Sequence, residues 1–161
     1  MNAWAVCLGL LFTMLFNTSL TAADPSPLIT WPMLKEMNYE TGNMPDNIKK
    51  LNGQTIRIGG FIVPLEMDEY ADEVKEFLLV PDPLACIHVP PPPPNQIIYV
   101  VMNQKIPVNM DYRGVEIEGI LRFVKSDDGI HGFDMVGQSA IEANIEYEDP
   151  LLEILNFDID E

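Results

Sequence analysis

Residues 55–65 read TIRIGGFIVPL, a run of β-branched and apolar residues broken in its middle by Gly59-Gly60. β-branched side chains hold the chain extended and pack well on a pleated surface. Adjacent glycines inside such a run mark a bulge or a sharp bend. A first strand with a strong bend suits a sheet that curls toward closure.

Four further segments have strand character. Residues 76–80 form a short apolar run ended by Pro81 and Pro83. Residues 96–102, QIIYVVM, are apolar on both faces and read as a central strand. In residues 114–124, Val115, Ile117, Leu121 and Phe123 face one way and Glu116, Glu118 and Arg122 the other. Asp127-Asp128-Gly129 signals a tight turn before a fifth strand over 132–141. A short helix is expected over 29–37, with Thr30 as cap, Pro32 in the first turn, and Leu34 and Met37 spaced to pack. Residues 46–51 allow one helical turn, and 150–157 an amphipathic helix that buries Leu151, Leu152, Ile154 and Leu155. The expected fold is therefore mainly β: a small, OB-like, partly closed five-stranded barrel with a short N-terminal and a C-terminal helix. A small β-sandwich is the alternative.

Residues 3–16 form an unbroken apolar and small-residue stretch, followed by polar Asn17, Thr18 and Ser19 and then by Thr21-Ala22-Ala23. This reads as a secretory signal over 1–23, cleaved after Ala23, and places the protein in the periplasm. The run is shorter than the roughly 20 apolar residues of a membrane-spanning helix. No Lys or Arg precedes it, so an uncleaved anchor is the competing reading. Residues 24–161 are expected to form one domain without a membrane span, ending in an acidic segment over 146–161. The formal charge of −16 repels phosphate backbones and anionic lipids, so nucleic-acid binding and electrostatic membrane docking are disfavoured. Cations or basic protein surfaces are the natural counterparts.

The chain has two cysteines, and Cys7 leaves with the signal. Cys86 then has no intramolecular partner in an oxidising compartment. It is buried and inert, joined to another molecule, or ligating something. Its surroundings are LACIHVPPPPPNQ, residues 84–96. In an extended chain Cys86 and His88 project from one face, with Cα atoms about 6–7 Å apart. A thiolate and an imidazole at that reach can share one metal ion, and zinc and copper(I) suit the pair. Glu66 and His131 are the nearest candidates for a third ligand, and Asp134 is a weaker one. Pro90, Pro91, Pro92, Pro93 and Pro94 carry no backbone donors and cannot join a sheet ladder. With Asn95 they can form a stiff ridge for a partner. Enzymatic activity is not expected. Residues two apart on one strand face are poorly placed for a Cys–His hydrogen bond, and no glycine-rich elbow follows Cys86.

The strings LNGQTIRIGGFIVPLE (51–66), EFLLVPDPLACIHVPPPPPNQIIYV (76–100) and GVEIEGIL (114–121) resemble the family numbered 3299 in the domain-of-unknown-function series. The resemblance runs from about residue 31 to residue 141. It implies a small exported protein of Gram-negative bacteria, with Cys86, His88 and Glu66 standing where the family has its Cys, His and acidic residue. It also implies a link to ABC-transporter components in zinc-responsive gene clusters, and so to metal uptake. Asp82-Pro83-Leu84 departs from the family's pattern and changes the approach to Cys86.

The expected function is thus a periplasmic accessory protein that binds a soft divalent metal, zinc, through Cys86 and His88 and assists an ABC-type uptake system. The competing reading is a non-catalytic interaction module whose proline ridge docks on another envelope protein.

Overall fold

The structure, a computed structural model, describes residues 25–65, 72–83, 92–108, 113–124 and 129–145. Strand β1 (Leu28–Ile29) leads into helices α1 (Trp31–Lys35) and α2 (Asp46–Lys49). Strands β2 (Thr55–Pro64), β3 (Glu73–Val80), β4 (Ile98–Pro107), β5 (Val115–Phe123) and β6 (Phe133–Glu142) follow, with a 3₁₀ turn at Pro94–Gln96 before β4.

The ladder runs β1-β2-β3-β4-β6-β5, and β5 pairs back onto β2. Strands β2 to β6 therefore close into a five-stranded barrel of OB-like order, with β4 and β6 parallel. A sandwich of two separate sheets does not describe this continuous ring. The closing seam is six residue pairs long, from Thr55 opposite Ile120 to Gly60 opposite Val115.

The bend expected at Gly59-Gly60 is where β2 changes partner. Residues up to Gly60 pair with β5, and from Phe61, opposite Val80, the strand pairs with β3. A Cβ on Gly60 would stand 2.8 Å from the Val80 carbonyl oxygen, so the close approach requires glycine. A second close approach sets Gly119 opposite Gly137, beside a register shift between β5 and β6.

Alternate residues fill the barrel. Ile58, Phe77, Ile98, Ile117 and Phe133 are fully buried, each burial contributing about 1.5–3 kcal/mol. Phe123 meets Phe133 edge-on, with centroids 5.5 Å apart. Val115, Ile117 and Leu121 face inward, as their alternation predicts.

The N-terminal helix is shorter than expected. Ile29 is taken into β1, pairing in parallel with Ile58, and α1 ends at Lys35. Thr30 occupies the N-cap without a side-chain bond, and Leu34 anchors the helix in the core. Strands β3 and β4 are longer than their apolar runs: Glu73 pairs with Pro107 and Val74 with Ile106, beyond a register shift that takes in exposed Lys75, Asn103, Gln104 and Lys105. Among the described residues no helix is long and apolar enough to cross a membrane. The expected signal over 1–23, the 150–157 helix and the acidic segment lie outside the described residues.

Candidate functional site

The topology brings two loops to one end of the barrel. Leu79, next to the end of β3, pairs with Ile98 at the start of β4, and Ile98 pairs with Phe133 at the start of β6. The connection 81–97, which carries Cys86 and His88, therefore leaves and returns at the end where the β5–β6 connection delivers His131. The loops are joined directly: the Gly132 N–H donates to the Pro94 carbonyl at 2.8 Å, and the Val124 N–H donates to the Gly132 carbonyl at 3.1 Å.

Cys86, His88, Glu66, Pro90 and Pro91 lie outside the described residues. Strand β2 runs from Phe61, opposite Val80, to Pro64, opposite Phe77. At Leu65, the last described residue before Glu66, the chain is thus heading away from the loop end that holds His131.

His131 is held from two sides. Its Nε2 lies 2.9 Å from Asp134 Oδ1, and its ring is tilted against Tyr99 with centroids 5.6 Å apart. An ionised carboxylate only accepts, so against one Nε2 is the donor of this contact. Tyr99 pairs with Asp134 across the parallel β4–β6 ladder, and the Tyr99 hydroxyl donates to Glu76 Oε2 on β3 at 2.9 Å. The result is a polar row across the outside of three strands. The hydrogen bond to Glu76 raises the Tyr99 pKa above its usual 10.0, and desolvation and the negative charges of Glu76 and Asp134 add to the shift.

Glu76 and Tyr99 were not among the expected site residues. Each occupies an outward position of its strand, and only the register of β3, β4 and β6 shows that they meet.

The proline segment is partly built into the molecule. Pro93 is exposed, whereas Pro92 and Pro94 are half-buried. Asn95, expected to face a partner with the ridge, is instead 6% exposed and turned inward. Its Nδ2 donates to the carbonyls of Lys35 and Met37, at 3.0 and 2.8 Å, and so fastens the end of α1. The 3₁₀ turn at Pro94–Gln96 turns Asn95 toward the helix and away from the ridge. Among the described residues no group of three His, Cys, Asp or Glu side chains is placed to hold a metal ion.

The family described as protein of unknown function (DUF3299) matches residues 33–142. A crystal structure of a DUF3299 family protein from Pseudomonas aeruginosa PAO1 is 30% identical and covers 78% of this chain and 100% of that one, with a TM-score of 0.57. A Leishmania major Friedlin structure described as an aspartyl-tRNA synthetase is 8% identical and covers 82% of this chain and 23% of that one. Its TM-score of 0.40 carries no argument about this chain. No curated protein shows significant similarity.

Proposed function

Because the chain belongs to the DUF3299 family, which is defined without a known activity, we propose that it is an exported accessory protein that binds a soft divalent metal, zinc, through Cys86 and His88. His131 is the proposed third ligand, and an ABC-type metal-uptake system in the cell envelope is the proposed partner.

One observation supports this reading above the others. His131 is buttressed by Asp134 at 2.9 Å and sits at the barrel end from which the Cys86–His88 connection departs. A carboxylate behind an imidazole is the usual support of a metal-bound histidine, because it fixes the ring and raises its basicity. Thiolate and imidazole ligands fit zinc. The bound ion would be held there as cargo, and the acidic surface would favour its approach.

The test is a zinc titration of the reduced protein by calorimetry, with cobalt as a spectroscopic substitute. One-to-one binding with a thiolate-to-cobalt absorption band is expected. Cys86→Ser should abolish the band, and His88→Ala or His131→Ala should weaken binding without unfolding the barrel. Zinc binding unchanged in Cys86→Ser would defeat the reading. The remaining candidate would then be the interaction module, with exposed Pro93 as its first point of contact.

A further inference from the structure

A pocket of about 270 Å³ opens between the loop of residues 38–43 and the barrel end. Its walls are Met37, Met44, Pro94, Phe123 and Val124, with Tyr39, Glu40 and His131 also lining it.

Both walls are set before any ligand arrives. On one side Asn38 Oδ1 accepts the N–H groups of Glu40 and Thr41 at 3.1 and 2.9 Å. The Asn38 N–H donates to the Asn43 carbonyl, and the Gly42 N–H to the Asn38 carbonyl, each at 2.7 Å. Gly42 makes the turn at φ +73°, a conformation that favours glycine. On the other side the absent Cβ of Gly132 leaves room for the Met37 methyl and the Pro94 carbonyl, which it would meet at 2.7 and 3.0 Å. Fixed walls spare a ligand the ordering cost of binding.

The lining also defines what fits. Thioether and aromatic groups accept an aromatic body. Among the described lining residues Glu40 is the one carboxylate, and none is Lys or Arg. The chain as a whole carries −16, so an anionic ligand is disfavoured.

We propose that this pocket binds a small molecule with an aromatic or branched apolar body and a single ammonium group, the body lying against Met37, Met44 and Phe123 and the ammonium facing Glu40. The pocket borders His131, the proposed third zinc ligand, but the contacts proposed here are to Met37, Met44, Phe123 and Glu40, none of them a proposed zinc ligand, so a titration without metal tests the pocket separately.

The experiment is an amide NMR titration of the protein in the presence of a metal chelator, using phenethylammonium, 2-phenylethanol and 3-phenylpropionate as probes. Saturable shifts are expected at Tyr39, Met44 and Phe123. The ammonium should bind about threefold tighter than the alcohol, as one exposed carboxylate allows, and the carboxylate probe most weakly. Glu40→Gln should remove the preference for the ammonium, and Met44→Trp should fill the pocket and abolish the shifts. No saturable shifts at those residues in the wild type would overturn the proposal. So would a preference for the ammonium that survives Glu40→Gln, a variant changed only at an exposed position.

Discussion

Gly132 and Pro94 are joined by a hydrogen bond of 2.8 Å, the glycine N–H donating to the proline carbonyl. This bond holds the β5–β6 connection against the last of the five prolines. The next residue, Asn95, extends the tie to α1 through Lys35 and Met37. Three segments distant in sequence are thus fixed at one end of the barrel, beside the connection that carries Cys86 and His88.

Asn95→Ala is expected to destabilise the protein by about 1–3 kcal/mol, because it strips the buried Met37 carbonyl and the part-buried Lys35 carbonyl of their donor. The midpoint of urea unfolding reads the loss. An unchanged midpoint would mean that Asn95 does not hold α1.

Gly60 and Gly59 are expected to respond differently to alanine. At Gly60 the new Cβ would meet the Val80 backbone carbonyl at 2.8 Å, where nothing yields easily, and about 1–3 kcal/mol should be lost. At Gly59 its nearest neighbour is the tip of the Ile145 side chain at 3.3 Å, which can rotate aside. That substitution should change stability by less than about 1 kcal/mol. Thermal unfolding of the two variants side by side is the measurement.

Tyr99 should titrate above the ordinary tyrosine range, and Glu76→Ala should bring it back toward 10.0 by removing both the hydrogen bond that is the first cause of the shift and the charge behind it. Phenolate absorbance of wild type and variant makes the comparison. The sign for stability follows. Near that pH the folded chain holds the Tyr99 proton more tightly than the unfolded chain does. The contribution is therefore present at neutral pH and is lost as pH rises through the folded pKa.

Asp134→Asn should lower zinc affinity about tenfold while leaving binding detectable, as expected of a residue that orients a ligand without touching the ion. Calorimetry on the variant tests it. An affinity equal to wild type would remove His131 from the proposed site.

Much of the barrel was legible from local pattern. The Gly59-Gly60 bend, the alternation of Val115, Ile117 and Leu121, and the apolar run around Ile98 each follow from side-chain chemistry along a few residues. The order of the strands does not, because the pairing of β6 with β4 and of β5 with β2 is decided by contacts far apart in sequence. Strand β1 is illegible for the opposite reason: two residues, Leu28–Ile29, are too few to show a period. At the candidate site, His131 and Asp134 are three residues apart, close enough in sequence to be read together. Glu76 and Tyr99 are 23 residues apart, and only the register joins them. Asn95 follows five prolines, and nothing in that string foretells a buried amide.

The seam between β2 and β5 has a consequence for how the chain acquires its shape. Arg57 pairs with Glu118, and the seam is braced by β6, whose residues come last among the strands. A chain that stops before Phe133 has neither the parallel neighbour of β4 nor the second neighbour of β5. Contacts of such sequence separation form slowly, because the intervening chain must first surrender its freedom. Ring closure therefore waits for the last strand, and a growing chain remains open until β6 arrives.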